Sequence, residues 1–207
     1  MNLVIEALNF RHACKKFDPG KKIPKETLET ILKAAWLSPS SFGLEAWKFL
    51  VLESDGIREK LRPACWNQPQ VTDSSHVIVI LAEPGLADPS SPYIRENFER
   101  RDLPEEAVNI YIEKYRNHMD SEVFPRMSAY AWCSKQCYIA LANIMTAAAA
   151  EGIDTCPMEG FEKRGAEKIL EIDTDQYEIA VLVALGYRFT EQTKRNRHPS
   201  ETRIEYR

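Results

Sequence analysis

Residues Ala129–Ala150 read AYAWCSKQCYIALANIMTAAAA. The run is long enough for about six helical turns and contains neither proline nor glycine. Apolar and small side chains cover most of its circumference. The remaining polar residues, Lys135, Gln136, Asn143 and Thr146, fall in one narrow stripe at helical spacing. A helix that is apolar nearly all round belongs in an interior. The alanine run Ala147–Ala150 permits close approach of another backbone, and Gly152 offers a C-terminal stop. Two settings suit such a helix, the core of one domain or the space between two subunits. In a chain of 207 residues the second is favoured, because one small domain seldom surrounds so long a helix.

Working outward, the elements on either side alternate between helix and strand patterns. Trp47–Glu53 is rich in β-formers, and His76–Ala82 and Tyr177–Tyr187 are nearly continuous apolar runs, the pattern of buried central strands. A shorter strand is expected over residues 153–157, ending in a proline-bounded loop. Helical spacing predicts helices over residues 2–9, Lys25–Leu37, Asp55–Cys65 with Ser54 as N-cap, Glu105–Met119 and Glu162–Leu170. Residues 83–103, rich in Pro, Ser and mixed charge, read as a mobile excursion. The tail Arg188–Arg207 is basic in its middle and reads as irregular. The plan is α+β or α/β in three layers with a modest sheet, one domain over 1–207 with an excursion at about 84–125.

Composition narrows the function. A chain 44% hydrophobic and 28% charged is that of a globular protein, and a net charge of −4 gives no reason to expect nucleic acid or an anionic membrane as partner. No run approaches the ~18 apolar residues of a membrane span. The N-terminus lacks the features of a secretion signal. Five scattered cysteines fit a reducing compartment, so the cytoplasm is expected. Dinucleotide-binding, phosphate-loop and nucleophile-elbow fingerprints are missing. Cys133 and Cys137 lack companion ligands and read as core residues, so no metal is expected. His76 reads as a structural histidine. Cys14, beside Arg11, Lys15 and Lys16, is expected to have a lowered pKa.

Separated polar loops remain. Arg11, His12, Lys15 and Lys16 crowd one short segment, which is either a solvated basic turn or an anion site. Ser38–Ser41 offers hydroxyls and free amides. Trp66–Gln70 carries amide side chains able to meet a planar heterocycle. Cationic, hydroxyl and amide loops around an apolar framework fit a bound anionic, planar cofactor better than catalysis by side chains.

Together these loops resemble the FMN-dependent nitroreductase family. The resemblance is carried by R-H-x-x-K-x-F at Arg11–Phe17, S-P-S-S with W-x-F at Ser38–Phe49, and N-x-x-Q then D-x-S-H at Asn67–His76. It continues with S-K-Q-x-Y at Ser134–Tyr138, C-P-M-E-G-F at Cys156–Phe161, G-Y-R at Gly186–Arg188 and R-x-R at Arg195–Arg197. These motifs stand in family order along nearly the whole chain. A subgroup likeness is seen at Asn9–His12 and Ser41–Trp47.

The resemblance implies a three-layer α/β/α fold with a small mixed sheet. It also implies an obligate homodimer, with the long helix in the interface and the C-terminal tail swapped onto the partner. It implies FMN as cofactor, NADH or NADPH as donor, and a small-molecule acceptor such as a nitro-aromatic or quinone, reduced by a ping-pong route. Other flavin chemistry on the same fold, reductive dehalogenation or flavin fragmentation, and a non-catalytic dimer that binds FMN weakly are the alternatives. The likeness assigns Arg11, Arg195 and Arg197 to the FMN phosphate and Lys15 to the flavin N1–O2 edge. It assigns Asn67 and Gln70 to the pyrimidine edge, and Pro157, Met158, Glu159 and Gly160 to the ring face, with the Glu159 amide near N5. His12, Ala13 and Gly43 join the cofactor-binding set, while Pro39, Ser40 and Ser41 come from the other subunit. No side chain is expected to act as acid or base; Lys15 and Glu159 tune the flavin. Ala13 replaces a frequent family Ser, and Gly43 a frequent Asn. Tyr115, His118 and Phe124 are the candidates for an aromatic covering the flavin.

Overall fold

The structure is a computed structural model and describes residues 2–207. In chain order the elements are α1 (Leu3–Phe10), α2 (Lys25–Trp36), β1 (Trp47–Leu52), α3 (Asp55–Leu61), α4 (Gln70–Asp73), β2 (His76–Ala82), α5 (Pro92–Glu99), α6 (Glu105–His118), α7 (Ala129–Ala150), β3 (Asp154–Met158), α8 (Lys163–Ile169) and β4 (Glu178–Gly186).

The four strands lie in the order β1-β2-β4-β3, and every neighbouring pair is antiparallel. The mixed character expected of the sheet is confined to one parallel bridge, Ala13 with Thr155. β2 and β4 are central and covered on both faces, which is why their sequences are apolar almost without interruption. Along β2, Ile78, Ile80 and Ala82 join one core while Val77, Val79 and Leu81 join the other. Fully burying one such side chain contributes about 1.5–3 kcal/mol, enough to offset the roughly 1–2 kcal/mol of backbone entropy lost per ordered residue.

β4 changes phase part-way. The β2–β4 register shifts between Ile80 and Leu81, leaving Ala180 as the extra residue of a bulge. Ala180 and Val181 therefore face the same core.

α7 covers one face of the sheet with α2 and α1 beside it, and α3, α4 and α8 cover the other. The bounds of α7 match the sequence reading. Ser128 caps its start by accepting from the Ala131 amide at 3.1 Å. At its end Gly152 takes φ +72, and the amides of Ile153 and Gly152 donate to the carbonyls of Ala148 and Ala149. That pattern is a Schellman closure, with glycine where a left-handed residue is needed. Burial of α7 is one-sided within a single chain. Trp132, Cys133, Cys137, Ala140, Leu141 and Ile144 face the sheet, while Lys135, Tyr138, Ile139 and Ala142 are exposed. The supposed polar stripe divides, with Gln136 buried and Lys135 outside.

Residues 83–103 are ordered, contrary to expectation. They include α5, whose Ile94 and Phe98 are buried in the first core. Asp55–Cys65 forms α3 and then a tighter 3-10 turn from Arg62, and Ser54 stands at the N-cap without a side-chain bond. No described helix is long and apolar enough to cross a membrane.

Candidate functional site

The segment after α1 is held as a strand-like strip at the edge of the sheet. The Cys14 amide donates to Thr155 O at 2.9 Å, the Asp18 amide to Tyr187 O at 2.8 Å, and the Phe189 amide to Lys16 O at 2.9 Å. Extended backbone alternates its side chains. Cys14 therefore enters the second core between the exposed Ala13 and Lys15; Phe17, three residues on, enters the same core because the strip leaves regular alternation at the exposed Lys16. Burial pushes the Cys14 thiol up to about 11, assisted by the nearby Asp154 carboxylate. This overturns the expected lowering: the neighbouring cations point away and desolvation dominates.

Asp154 braces the strip. It accepts from the Arg188 amide and Nε at 2.9 Å each on Oδ2, and Arg188 Nη2 lies 2.7 Å from Oδ1. His12 Nδ1 is 3.5 Å from the same Oδ1. His12, Cys14 and Asp154 thus converge within 4.8 Å. With both carboxylate oxygens engaged by a guanidinium, the cluster is an ion-pair brace and a poor cation site. Neither Asp154 nor Arg188 carried a role in the sequence reading; their signal was the G-Y-R ending and the residue before T-C-P-M-E-G-F.

Beyond the brace lies a cavity of about 370 Å³ between Arg11–Ala13 on one side and Gln192–Arg197 on the other. Arg195 Nη2 donates to Leu8 O at 3.0 Å, to Asn9 O at 3.2 Å and to Arg11 O, so it closes the end of α1 as it lines the cavity. Among the described residues no carboxylate pairs with Arg11, Arg195 or Arg197. The Arg11 pKa is lowered, first by burial and then by the charges of Arg195 and Arg197. Three guanidinium groups around a shared space, with no carboxylate between them, offer the charge and forked donors that could hold an anion.

Two residues beyond Ala13 on the same strip, Lys15 reaches a group of amide side chains beside β3. Lys15 Nζ lies 3.6 Å from Cys156 Sγ, and the Gln70 side chain also approaches that sulfur. Gln70 is buried and its Oε1 has no partner. Gln68 Nε2 donates to Gly160 O at 2.8 Å, and the exposed Trp66 indole lies against Gly160 so closely that a Cβ there would sit 2.7 Å from its ring. Trp66 and Asn67 are consecutive left-handed residues, both at φ 54. Such backbone is costly away from glycine and clusters at functional sites. Gln68 and Trp66 were not singled out individually from the sequence. Met158 is buried with its side chain in the second core, so only its main chain can meet a ligand. Glu159 accepts a hydrogen bond from Tyr138 Oη on α7.

Pro39, Ser40, Ser41 and Gly43 lie elsewhere. The Ser41 amide donates to Gln136 Oε1 at 2.9 Å, and Asn143 Nδ2 donates to Ser38 Oγ at 2.8 Å. Gln136 and Tyr138 are two residues apart on one helix, hence about 200° apart around it. One chain therefore presents Ser40–Gly43 on one flank of α7 and Glu159 on the other. Gly43 takes φ +61, a left-handed conformation that glycine adopts freely and that Asn also tolerates. Of the proposed covering aromatics, Tyr115 is fully buried and donates to Ala87 O at 2.7 Å, so it is a core residue; His118 and Phe124 are exposed.

The profile of the nitroreductase family matches residues 8–187. The chain belongs to the nitroreductase family. Two relatives carrying the name "Putative NAD(P)H nitroreductase" are similar along their whole lengths. The one from Staphylococcus haemolyticus is 40% identical over 211 residues, covering 98% of this chain and 96% of its own. YfkO of Bacillus subtilis is 38% identical over 213 residues, with the same coverage of each chain. Among solved nitroreductase folds, ydfN of Bacillus subtilis superposes with a TM-score of 0.83 at 25% identity, covering 98% of both chains. A nitroreductase-type protein of Exiguobacterium sibiricum, solved in complex with FMN, gives 0.81 at 25% identity, covering 99% of this chain and 97% of its own. The four-stranded antiparallel sheet with helices on both faces is thus the nitroreductase fold.

Proposed function

We propose that this chain is an FMN-dependent oxidoreductase that takes reducing equivalents from NADH or NADPH and delivers them by a ping-pong route to a nitro-aromatic, quinone or similar acceptor. The observation that carries the reading is the strip Arg11–Lys15, which lines the cationic cavity with Arg11–Ala13 and, docked on β3 at Thr155, brings Lys15 to Cys156 beside Gln70. A phosphate-bearing planar ligand matches both parts. The unpartnered Gln70 Oε1 supplies an acceptor for an imide N–H, and the missing Cβ at Gly160 lets the Trp66 indole close against the main chain. When bound, FMN supplies the hydride chemistry.

The chain's own residues bind and orient. Arg11, Arg195 and Arg197 hold the phosphate, with His12 and Ala13 beside them. Asn67 and Gln70 read the pyrimidine edge. Lys15, which has no carboxylate partner among the described residues, stabilises negative charge at the flavin N1–O2 edge. Glu159, its side chain held by Tyr138, would offer its main-chain amide to the flavin ring.

The working unit in this reading is a homodimer in the cytoplasm. Leu3, Val4, Ile5 and Leu8 of α1, Trp36 and Leu37 after α2, and Ile139 of α7 are exposed in one chain. So large a set of apolar side chains suits coverage by a second copy, and that copy would bring Pro39–Gly43 to the opposite flank of α7.

An absorption spectrum of the purified protein, followed by anaerobic NADPH or NADH, tests the reading. Flavin bands bleached by pyridine nucleotide and restored by a nitro-aromatic or quinone are expected. A colourless protein that FMN cannot reconstitute would sink it.

A further inference from the structure

The loop that carries Ser40, Ser41 and Gly43 is not shaped by its own residues alone. Phe42, Gly43 and Glu45 all have positive φ, at 54, 61 and 51. Side-chain-bearing residues avoid this region, so neighbours must hold the loop there.

Those neighbours form one stripe. Tyr93, Asn97 and Arg101 are spaced by four along α5 and the turn that extends it, so they share a face. Each donates to a main-chain carbonyl of the loop. Tyr93 Oη reaches Leu44 O at 2.6 Å, Asn97 Nδ2 reaches Phe42 O at 3.2 Å, and Arg101 Nη2 reaches the same Phe42 O. Arg101 is itself set by stacking, its guanidinium 4.8 Å from the Phe98 ring and 5.6 Å from the Tyr111 ring. A Cβ at position 43 would meet Arg101 Nη2 at 3.2 Å. The Phe42 ring is locked edge-on against Tyr115 at 5.0 Å. The segment expected to be a mobile excursion is therefore a buttress.

We infer that Tyr93, Asn97 and Arg101 are positioning residues that fix the Ser40–Gly43 loop as the wall it contributes to the flavin site of a second subunit. The inference rests on the dimeric flavoenzyme reading above. None of the three residues belongs to the phosphate cavity or the amide group of its own chain. Removing one of them moves the loop and leaves the same chain's phosphate cavity intact.

The test begins with wild-type apoprotein titrated with FMN by quenching of flavin fluorescence. Failure to bind there overturns the flavoenzyme reading before any variant is made. Given binding, Arg101→Met, which keeps the stem and removes the donors, should raise the FMN Kd about tenfold, the scale of one charge-assisted hydrogen bond. Arg101→Lys should recover part of the loss, and Tyr93→Phe should act in the same direction with a smaller change. Unaltered affinity in both Arg101→Met and Tyr93→Phe overturns the positioning role.

A mixed dimer separates this role from general destabilisation. One differently tagged subunit carries Arg101→Met and the other Arg11→Glu. If the loop acts across subunits, both lesions fall in one site and the other site is intact, so the mixed dimer binds one FMN with wild-type affinity. A mixed dimer with no wild-type site overturns the inference, because the loop would then serve its own chain.

Discussion

Lys15 is an exposed ammonium whose nearest polar neighbour is a thiol, 3.6 Å away. An unpaired cation of this kind acts through charge, and its removal should spare binding more than turnover. Lys15→Ala is expected to lower steady-state turnover by about tenfold or more with flavin still bound; unchanged kinetics in a fully loaded variant would rule that role out. Cys14 has the opposite character. With its thiol pushed up to about 11 by burial, it should resist iodoacetamide at pH 8 in the folded protein and react only after unfolding, which mass spectrometry of the modified peptide would read. Its burial was hidden in the sequence, because Lys15 and Lys16 are neighbours in the chain while the extended backbone sends Cys14 inward. The site motifs themselves were legible, since each loop keeps its residue types in order. The Asp154–Arg188 brace was not, because its partners lie 34 residues apart in the chain and meet only through the pairing of β3 with β4, which sets Asp154 opposite Gly186. Two histidines set a pH dependence. Burial lowers the pKa of both His12 and His76, against the raising influence of Asp154 and Glu53 respectively. The unfolded chain then binds more protons, so stability should fall as pH drops below about 6.5 and level off below the folded pKa values. Urea midpoints measured from pH 7.5 to 5 would show the slope, and His76→Gln should flatten it.

At the scale of elements, the long helix and the two central strands were readable because burial on nearly all sides leaves an unbroken apolar record. α5 was not, and the reason is chemical ambiguity. Ser91 and Pro92 read as turn residues, yet Ser91 Oγ accepts from the Tyr93 amide at 3.3 Å and Pro92 occupies the first helical turn. Serine before proline is as good a helix start as it is a loop, and only Ile94 and Phe98 entering the core settle which it is. The antiparallel pairing was likewise not contained in strand composition, which fixes faces and leaves direction open. At the end of α7, Gly152 has open space around its Cα but φ +72. Gly152→Ala should therefore cost about 1 kcal/mol through backbone strain alone, seen as a lower urea midpoint with unchanged slope. An unchanged midpoint would show that the closing turn readily adopts another form.

The whole molecule exposes, on one chain, the apolar residues of α1 and Ile139 of α7. Sedimentation velocity should find the wild-type protein as a dimer, and Ile139→Glu combined with Leu8→Glu should yield a monomer that loses FMN affinity along with its partner. A stable wild-type monomer that binds FMN fully would overturn the dimeric site. The contacts closing the cationic cavity also have a cost in time. Arg195 reaches back across 184 residues to the carbonyl of Arg11, and Ala13 waits for Thr155 before its strip has an edge to join. A ribosome adds roughly 5–20 residues each second. Helix α1, with Leu3, Val4, Ile5 and Leu8 on its surface, thus waits for its closing arginine for roughly 10 to 40 s after it is made. For that interval the last turn of α1 is open and its apolar side chains lie bare, a natural client for chaperones that hold nascent chains, and the cationic cavity does not exist until Arg195 has been made.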